Sequence, residues 1–467
     1  MAPKQESDDI RPASFDAEIG SAEKIQQGTN QFEVFKQGDG VVDFRTVHWI
    51  QASVIFLKII FATGVLSIPS SMNALGAFPG AVVVVALTLL NAYCAIVQGN
   101  FRNRHAGCHS IADMAHLVGG PVVKEIVGFL FLAAYVICAA SGIIGVSTAF
   151  NALSLHATCT QWFSLVATVI VALAASVRKF EKIAWLTWVG FISVFIAVMI
   201  VVVGVTTRDR PAIAPQTGDF DLGFVVIGYP TFIAGMTACA TIFCSSAATA
   251  AFLPVISEMK RPKDYNKAVY VCMAIVTSSY LAFSFVVYYW CGKWVASPSL
   301  GSAGPVIKRV AYGVGIIGLA VSACLYVHIG AKYIFVRVLR NSRHLQENTV
   351  IHWATWLGCT IGISICSFLI ASGIPIFNYI LALAGSLCFS PVAICLPGWL
   401  WCHDYSHYRK GNVWQITTYY LHVLMIAFGA FMTIGGTYSV IQEIIDAYAS
   451  GAIGSAFSCA DNSGTVV

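Results

Sequence analysis

The chain is short of charge. Only 10% of its 467 residues are Asp, Glu, Lys or Arg, against roughly 25% in an ordinary soluble domain, which excludes the soluble globular class. It also lacks the marks of several activities. There is no HExxH, no P-loop and no nucleophile elbow, so no enzyme activity, metal site or cofactor is expected. None of its 15 cysteines forms a Cys-x-x-Cys pair, which removes the common redox and zinc spacings. No Asn-x-Ser/Thr sequon occurs, so N-glycosylation is not expected. The opening MAPKQESDDIRPAS has no apolar stretch and so does not read as a signal peptide.

What is present is apolar. Hydrophobic residues make up 57% of the chain and the mean hydropathy is +0.75. The apolar runs are long and do not alternate as barrel strands would, so the fold class is all-α integral membrane. Eleven spans follow a polar tail at 1–45 that reads as disordered: 50–75, 78–100, 125–151, 160–177, 183–205, 223–256, 266–290, 306–338, 350–371, 376–399 and 416–446. A transmembrane domain over 46–446 and a short tail over 447–467 complete the division.

The loops carry a sidedness. One alternating set holds 15 basic residues, among them Arg102, Arg178, Lys179, Lys182, Lys260, Arg340 and Arg409, and the other set holds 5. By the positive-inside rule the basic side faces the cytoplasm, which puts the N-terminus inside and the C-terminal tail outside. The net charge of +5 expresses this bias and is no sign of a nucleic-acid partner. Cys159, Cys291 and Cys459 fall on the outer side, where a disulfide among them is open.

The first span contains a break. In WIQASVIFLKIIFATGVLSIPSSMNA, Gly64 weakens the helix and Pro69 removes a donor and clashes with the preceding turn. A bilayer tolerates irregular backbone only where protein or a watery cavity surrounds it. The sixth span reads TIFCSSAATAAFLPVIS, small from Cys244 to Ala251, with Pro254 following. Thr249 precedes Pro254 by five residues, as Gly64 precedes Pro69. Taken alone, each is a kink or a small-residue packing face. Paired at corresponding positions of two five-span halves, they point to a transport site at an inverted repeat.

Three ionisable residues lie within spans. Lys58 sits about a turn and a half before Gly64, too deep to snorkel easily, and reads as functional. His328 and Lys332 share a face of the eighth span. Lys332 reads as a snorkelling lysine. His328 is either a relay or a neutral ring bonded to a carbonyl. Gly313-Val-Gly-Ile-Ile-Gly318 matches GxGxxG by letter, but it lies in an apolar span with no strand before it and reads as helix packing.

Gly64-Val-Leu-Ser-Ile-Pro69 with Lys58 before it, Phe252-Leu-Pro-Val-Ile-Ser-Glu258-Met-Lys-Arg-Pro262, and Phe377, Gly385, Pro391 and Pro397 resemble the first, sixth and tenth helices of the amino acid/auxin permease family. The likeness runs over about 46–446 and is closest to fungal neutral amino acid permeases. It implies a five-plus-five inverted repeat with one extra helix, and proton-coupled amino acid uptake. Many relatives carry Gly-His where this chain has Ala248-Thr249, so no histidine role transfers there.

The expected function is therefore a proton-coupled symporter for neutral amino acids, with an amino acid, a proton and the lipid bilayer as partners. The plasma membrane is the expected location, the vacuolar membrane the alternative. The N–H groups of Gly64, Val65 and Leu66, with Thr63 beside them, would meet the substrate carboxylate. The carbonyls of Ile60, Phe61 and Ala62 would face its ammonium. Phe243, Ser245, Ser246 and Thr249, with Ser141 and Ile144 of the third span, would line the side-chain pocket. No acidic residue is near, which favours a neutral substrate. Sodium fits poorly beside the Lys58 ammonium, so protons are the expected ion, with Lys58 and His328 as the coupling residues. A channel would want a continuous polar stripe, which the spans lack. A nutrient receptor on a permease fold, or a transporter of an amino-acid-derived metabolite, stays open.

Overall fold

The computed structural model describes residues 47–464 apart from 106, 109, 178, 179, 341, 346 and 452–454. The expected tail over 1–45 and the basic pair Arg178 and Lys179 lie outside the described residues, as do the side chains of Ala62, Thr63 and Lys182.

Among the described residues the fold is helical, with one isolated bridge between Val47 and Met259. Eight helices are long and apolar enough to cross a membrane, and a ninth crossing is the pair Phe377–Phe389 and Pro391–Asp404, bent by 41°. The two shorter apolar helices, Trp49–Phe61 and Thr160–Ala175, occupy the remaining expected spans, so all eleven segments are accounted for in order. A half of five crossings ends on the side opposite to its start. The second half is therefore inverted relative to the first, with the eleventh span outside the repeat.

The helices used below are α1 (Trp49–Gly64), α2 (Ile68–Leu75), α3 (Ala77–Arg104), α4 (Ile111–Ser154), α5 (Thr160–Ala175), α6 (Phe180–Thr206), α7 (Phe232–Ser246), α8 (Phe252–Glu258), α9 (Tyr265–Cys291), α10 (Pro305–Leu339) and α11 (Val350–Gly373). Capping boxes open α1 and α4 at the basic end: His48 with Gln51, and Ser110 with Asp113. Each satisfies two backbone donors that the helix itself leaves bare.

Two boundaries differ from the sequence reading. The sixth span begins at Phe232, not 223. Phe224, Val225 and Val226 are apolar, but Gly223 (φ +65°), Gly228 and Pro230 break the run. Val225–Gly228 instead bonds along the α2–α3 junction: Ala77 N–H to Val225 O at 3.1 Å, Phe78 N–H to Val226 O at 2.9 Å, and Gly228 N–H to Leu75 O at 2.9 Å. Gly76 makes that approach possible, since at φ +88° a Cβ would strike the Gly228 nitrogen. The third span begins at Ile111, not 125, because its helix continues through a kink at Gly120-Pro121.

α10 packs along α4 and α6 on small residues. A Cβ on Gly142 would come 2.7 Å from the Ala323 Cβ, and one on Gly318 would come 2.6 Å from the Gly190 carbonyl. The GxGxxG stretch is thus a helix contact.

The two ends are closed differently. At the basic end ion pairs join one span to another: Arg104–Asp404 and Arg340–Asp113, both at 2.9 Å, and Lys332–Glu258 at 3.0 Å. At the opposite end the C-terminal residues fold back over the spans. Cys459 is disulfide-bonded to Cys159, Thr160 donates to Ala460 O at 2.6 Å, and Asn151 donates to Asn462 at 2.8 Å. The turn Ser299–Ala303 before α10 is fully buried. It reaches down to the first break, where Ser299 N–H donates to Leu66 O at 3.1 Å.

Candidate functional site at the two helix breaks

The first break is short. α1 ends at Gly64, Val65–Ser67 form a turn, and α2 restarts with Pro69 in its first turn, where a missing N–H costs nothing. Ser67 closes on the Gly64 carbonyl twice, through its N–H at 3.1 Å and its hydroxyl at 2.9 Å. Val65 N–H donates to Phe61 O at 3.1 Å. This corrects the expected set of carboxylate donors. The helical bond pattern persists one residue past Gly64, so the Val65 N–H is already used.

The second break follows the predicted small residues. α7 stops at Ser246, a tight 3₁₀ turn covers Ala248–Ala251, and α8 resumes with Pro254 inside it. The Thr249 hydroxyl is buried and has no hydrogen-bond partner among the described residues. Ser245 donates back to Ile242 O at 2.6 Å, and the Ser246 hydroxyl is taken by Asn91 at 2.8 Å.

Between the breaks lies a void of about 10 Å³, room for a single water. Ile59, Ile60 and Gly64 line it from the first span, Cys244, Ser245 and Ala248 from the sixth, and Cys138, Tyr326, Leu381 and Phe389 from the third, eighth and tenth. No charged side chain is among them.

Of the residues expected at the site, Ile60, Gly64 and Ser245 reach this void. Thr249 is next to Ala248 in the turn. Ala62 and Thr63 have described backbone in the last turn of α1. Ser141 and Ile144 do not line the void. Cys138, one turn earlier on α4, does, and Ser141 donates to its carbonyl at 2.7 Å. Phe243 points elsewhere in the core and Ser246 toward α3. Phe61 packs edge-on to Phe191 at 5.4 Å. Val65 and Leu66 are buried in the turn.

Sequence reasoning missed three tyrosines. Tyr280 of α9 places its hydroxyl 3.1 Å from Ile60 O and 2.9 Å from Ser245 O. Tyr326 of α10 donates to Ile59 O at 3.0 Å. Tyr135 of α4 donates to Ala248 O at 3.2 Å. Helix breaks expose carbonyls that must find donors. That requirement was the available signal, but three tyrosines among 18 could not be picked by it.

Lys58 is wholly buried. Its ammonium donates to Gly318 O at 3.1 Å and to the Ser322 hydroxyl at 2.9 Å, joining the first span to the eighth. Among the described residues no carboxylate forms an ion pair with it. His328 does not meet it. It lies six residues beyond Ser322, about 9 Å along the axis. Its ring sits edge-on to Trp356 at 5.1 Å, with Nδ1 3.5 Å from Ala175 O. Lys332 reaches Glu258 rather than snorkelling alone.

A second, larger cavity of about 320 Å³ opens at the basic end. Asp113, Lys124, Glu125, Lys332, Arg337 and Arg340 are on its walls, and Ala250 and Pro254 at its inner limit. Ala248 faces the void and Ala250 faces this vestibule. The 3₁₀ turn is the wall between them.

Comparison with known proteins gives the family. The family model described as "Transmembrane amino acid transporter protein" matches residues 45–442. A protein from Gibberella moniliformis named "Transmembrane transporter" is 47% identical over 99% of this chain and 97% of its own length. The "N amino acid transport system protein" of Neurospora crassa is 26% identical over 96% of each. Among solved structures, the crystal structure of MhsT in complex with L-phenylalanine aligns with a TM-score of 0.48 and 12% identity, over 85% of this chain and 98% of that one. The chain is a multi-pass integral membrane protein with two interrupted helices facing one another, and it belongs to the transmembrane amino acid transporter family, the amino acid permeases.

Proposed function

We propose that the chain is a proton-coupled symporter for neutral amino acids, with residues 46–446 as its transport domain and its N-terminus in the cytoplasm of a plasma-membrane protein. The substrate lies between the two breaks, its side chain toward Cys138, Cys244, Leu381 and Phe389. That wall has no carboxylate to pair with a cationic side chain and no cation for an anionic one, and an unpaired charge there would be strongly disfavoured. The name of the Neurospora relative supports an amino acid as cargo.

One observation carries the coupling: the Lys58 ammonium, held by two neutral acceptors where the first span meets the eighth. It already supplies the positive charge that a bound sodium ion would bring, and a proton on or off this nitrogen changes that charge. His328 is too far away to exchange a proton with it directly, so the coupling role rests on Lys58 alone.

The test is uptake in proteoliposomes under an imposed pH gradient, with twenty amino acids as competitors. Accumulation should follow the proton gradient, and neutral amino acids should compete best. Accumulation that follows sodium, or stronger competition by lysine or glutamate, would sink the proposal.

A further inference from the structure

Tyr280 occupies an unusual position. Its ring is fully buried and lies 6.1 Å from that of Phe61. Its hydroxyl stands between two carbonyls from two different broken spans, Ile60 at 3.1 Å and Ser245 at 2.9 Å. A phenol has one proton and donates one hydrogen bond at a time. One of the two carbonyls is therefore always without the Tyr280 proton. Both residues line the void, and so does Gly64. Gly64 makes the arrangement possible, because a Cβ there would collide with the Tyr280 hydroxyl and come 2.7 Å from Ser245 O.

Two convergent carbonyls against an apolar wall suit a group with several donors and no acceptor need. An ammonium has three donors and no acceptor. Resting on the reading of the void as the substrate site, we propose that the Tyr280 hydroxyl is a place-holder for the substrate's amino group: it tends the Ile60 and Ser245 carbonyls in the empty protein and yields them to the ammonium on binding. Tyr280 is thus a positioning residue that tunes affinity by competing with the substrate.

The sign of its removal follows. In Tyr280→Phe the empty protein loses the one hydrogen bond that the phenol shares between these two buried carbonyls, which is costly. The substrate ammonium restores both, so binding recovers more than in the wild type. The variant should melt earlier when empty, bind L-leucine several-fold more tightly, and gain more thermal stability from saturating leucine. Isocaproate, which is leucine without its amine, should show no gain. A strut with no link to the amine would lower melting equally with and without leucine.

The experiment is a thermal-shift and binding series on purified full-length wild type and Tyr280→Phe with both probes. Unchanged or weaker leucine binding by the variant overturns the proposal. So does an equal gain for isocaproate. If the variant does not fold, the wild type still decides. The trimethylated betaine of leucine has no N–H and should bind at least tenfold more weakly than leucine, and equal binding overturns the proposal. A wild type that binds no amino acid at all sinks the functional reading itself, and this inference with it.

Discussion

The two breaks look alike in sequence and are built differently. The first is clamped from several directions. Ser67 holds Gly64 O, Ser299 holds Leu66 O, Tyr280 reaches Ile60 O and Tyr326 holds Ile59 O. The second is held more lightly. Tyr280 also reaches its Ser245 O and Asn91 takes its Ser246 hydroxyl, but within the turn itself Tyr135 holds Ala248 O, the Thr249 hydroxyl has no partner among the described residues, and the residues are small. The first break is a fixed frame that shapes the site. The second is a thin partition between the void and the vestibule. Clamped backbone resists change, while lightly held backbone supplies the moving parts.

That contrast can be broken at the frame first. Gly64→Leu should abolish uptake while the protein still reaches the membrane, because any Cβ meets Tyr280 and Ser245. Membrane fractionation with uptake measures both, and near-normal uptake would show that the frame yields. Lys58→Met keeps the length and removes the charge beside the frame. It should lose accumulation driven by a pH gradient and keep exchange of substrate for substrate. Accumulation at the normal proton dependence in this variant would remove Lys58 from coupling.

The partition should respond in graded fashion. Ala248→Leu fills the void from the sixth span. At an overpacking cost of roughly 1–3 kcal/mol, its KM for leucine should rise about tenfold while that for glycine rises less; equal loss for both would mean general damage to packing. Tyr135→Phe removes the bond to Ala248 O. A net hydrogen bond of about 1 kcal/mol makes this roughly a fivefold effect on uptake, read from initial rates. Thr249→Val keeps the shape and removes a hydroxyl that has nothing to bond, so thermal stability should hold or rise slightly. A large loss of uptake at unchanged stability would instead assign that hydroxyl to the substrate.

The elements that follow from local chemistry were legible in the sequence. Gly64 with Pro69, and the small run before Pro254, located both breaks to within a turn. Hydropathy located the spans. Where it failed, at 223–231, the apolar residues serve a loop that bonds across the start of α3, and composition alone does not separate such a loop from a helix. The site was legible only along the chain. Ile60, Gly64 and Ser245 flank the breaks, and all three line the void. Tyr280, Leu381 and Phe389 arrive from other spans, and nothing in their own neighbourhoods marks them. Ser141 and Ile144 missed the void by height: Ser141 lies a turn beyond Cys138 on the same face of α4, and Ile144 nearly two turns beyond it. The pairing of Cys159 with Cys459, 300 residues apart, likewise depends on where the last residues fold.

Lys58 carries one further consequence. A neutral amino acid in its zwitterionic form brings no net charge through the membrane. Whatever charge crosses in a cycle belongs to the coupling ion or to the chain, and the Lys58 ammonium is held by a carbonyl and a hydroxyl, with no counter-ion among the described residues. A charge so placed feels the membrane voltage, at about 2.3 kcal/mol per elementary charge for each 100 mV fully traversed. On the proposed proton coupling, transport would carry a small electrical current, and the membrane potential would be a second source of drive alongside the pH difference.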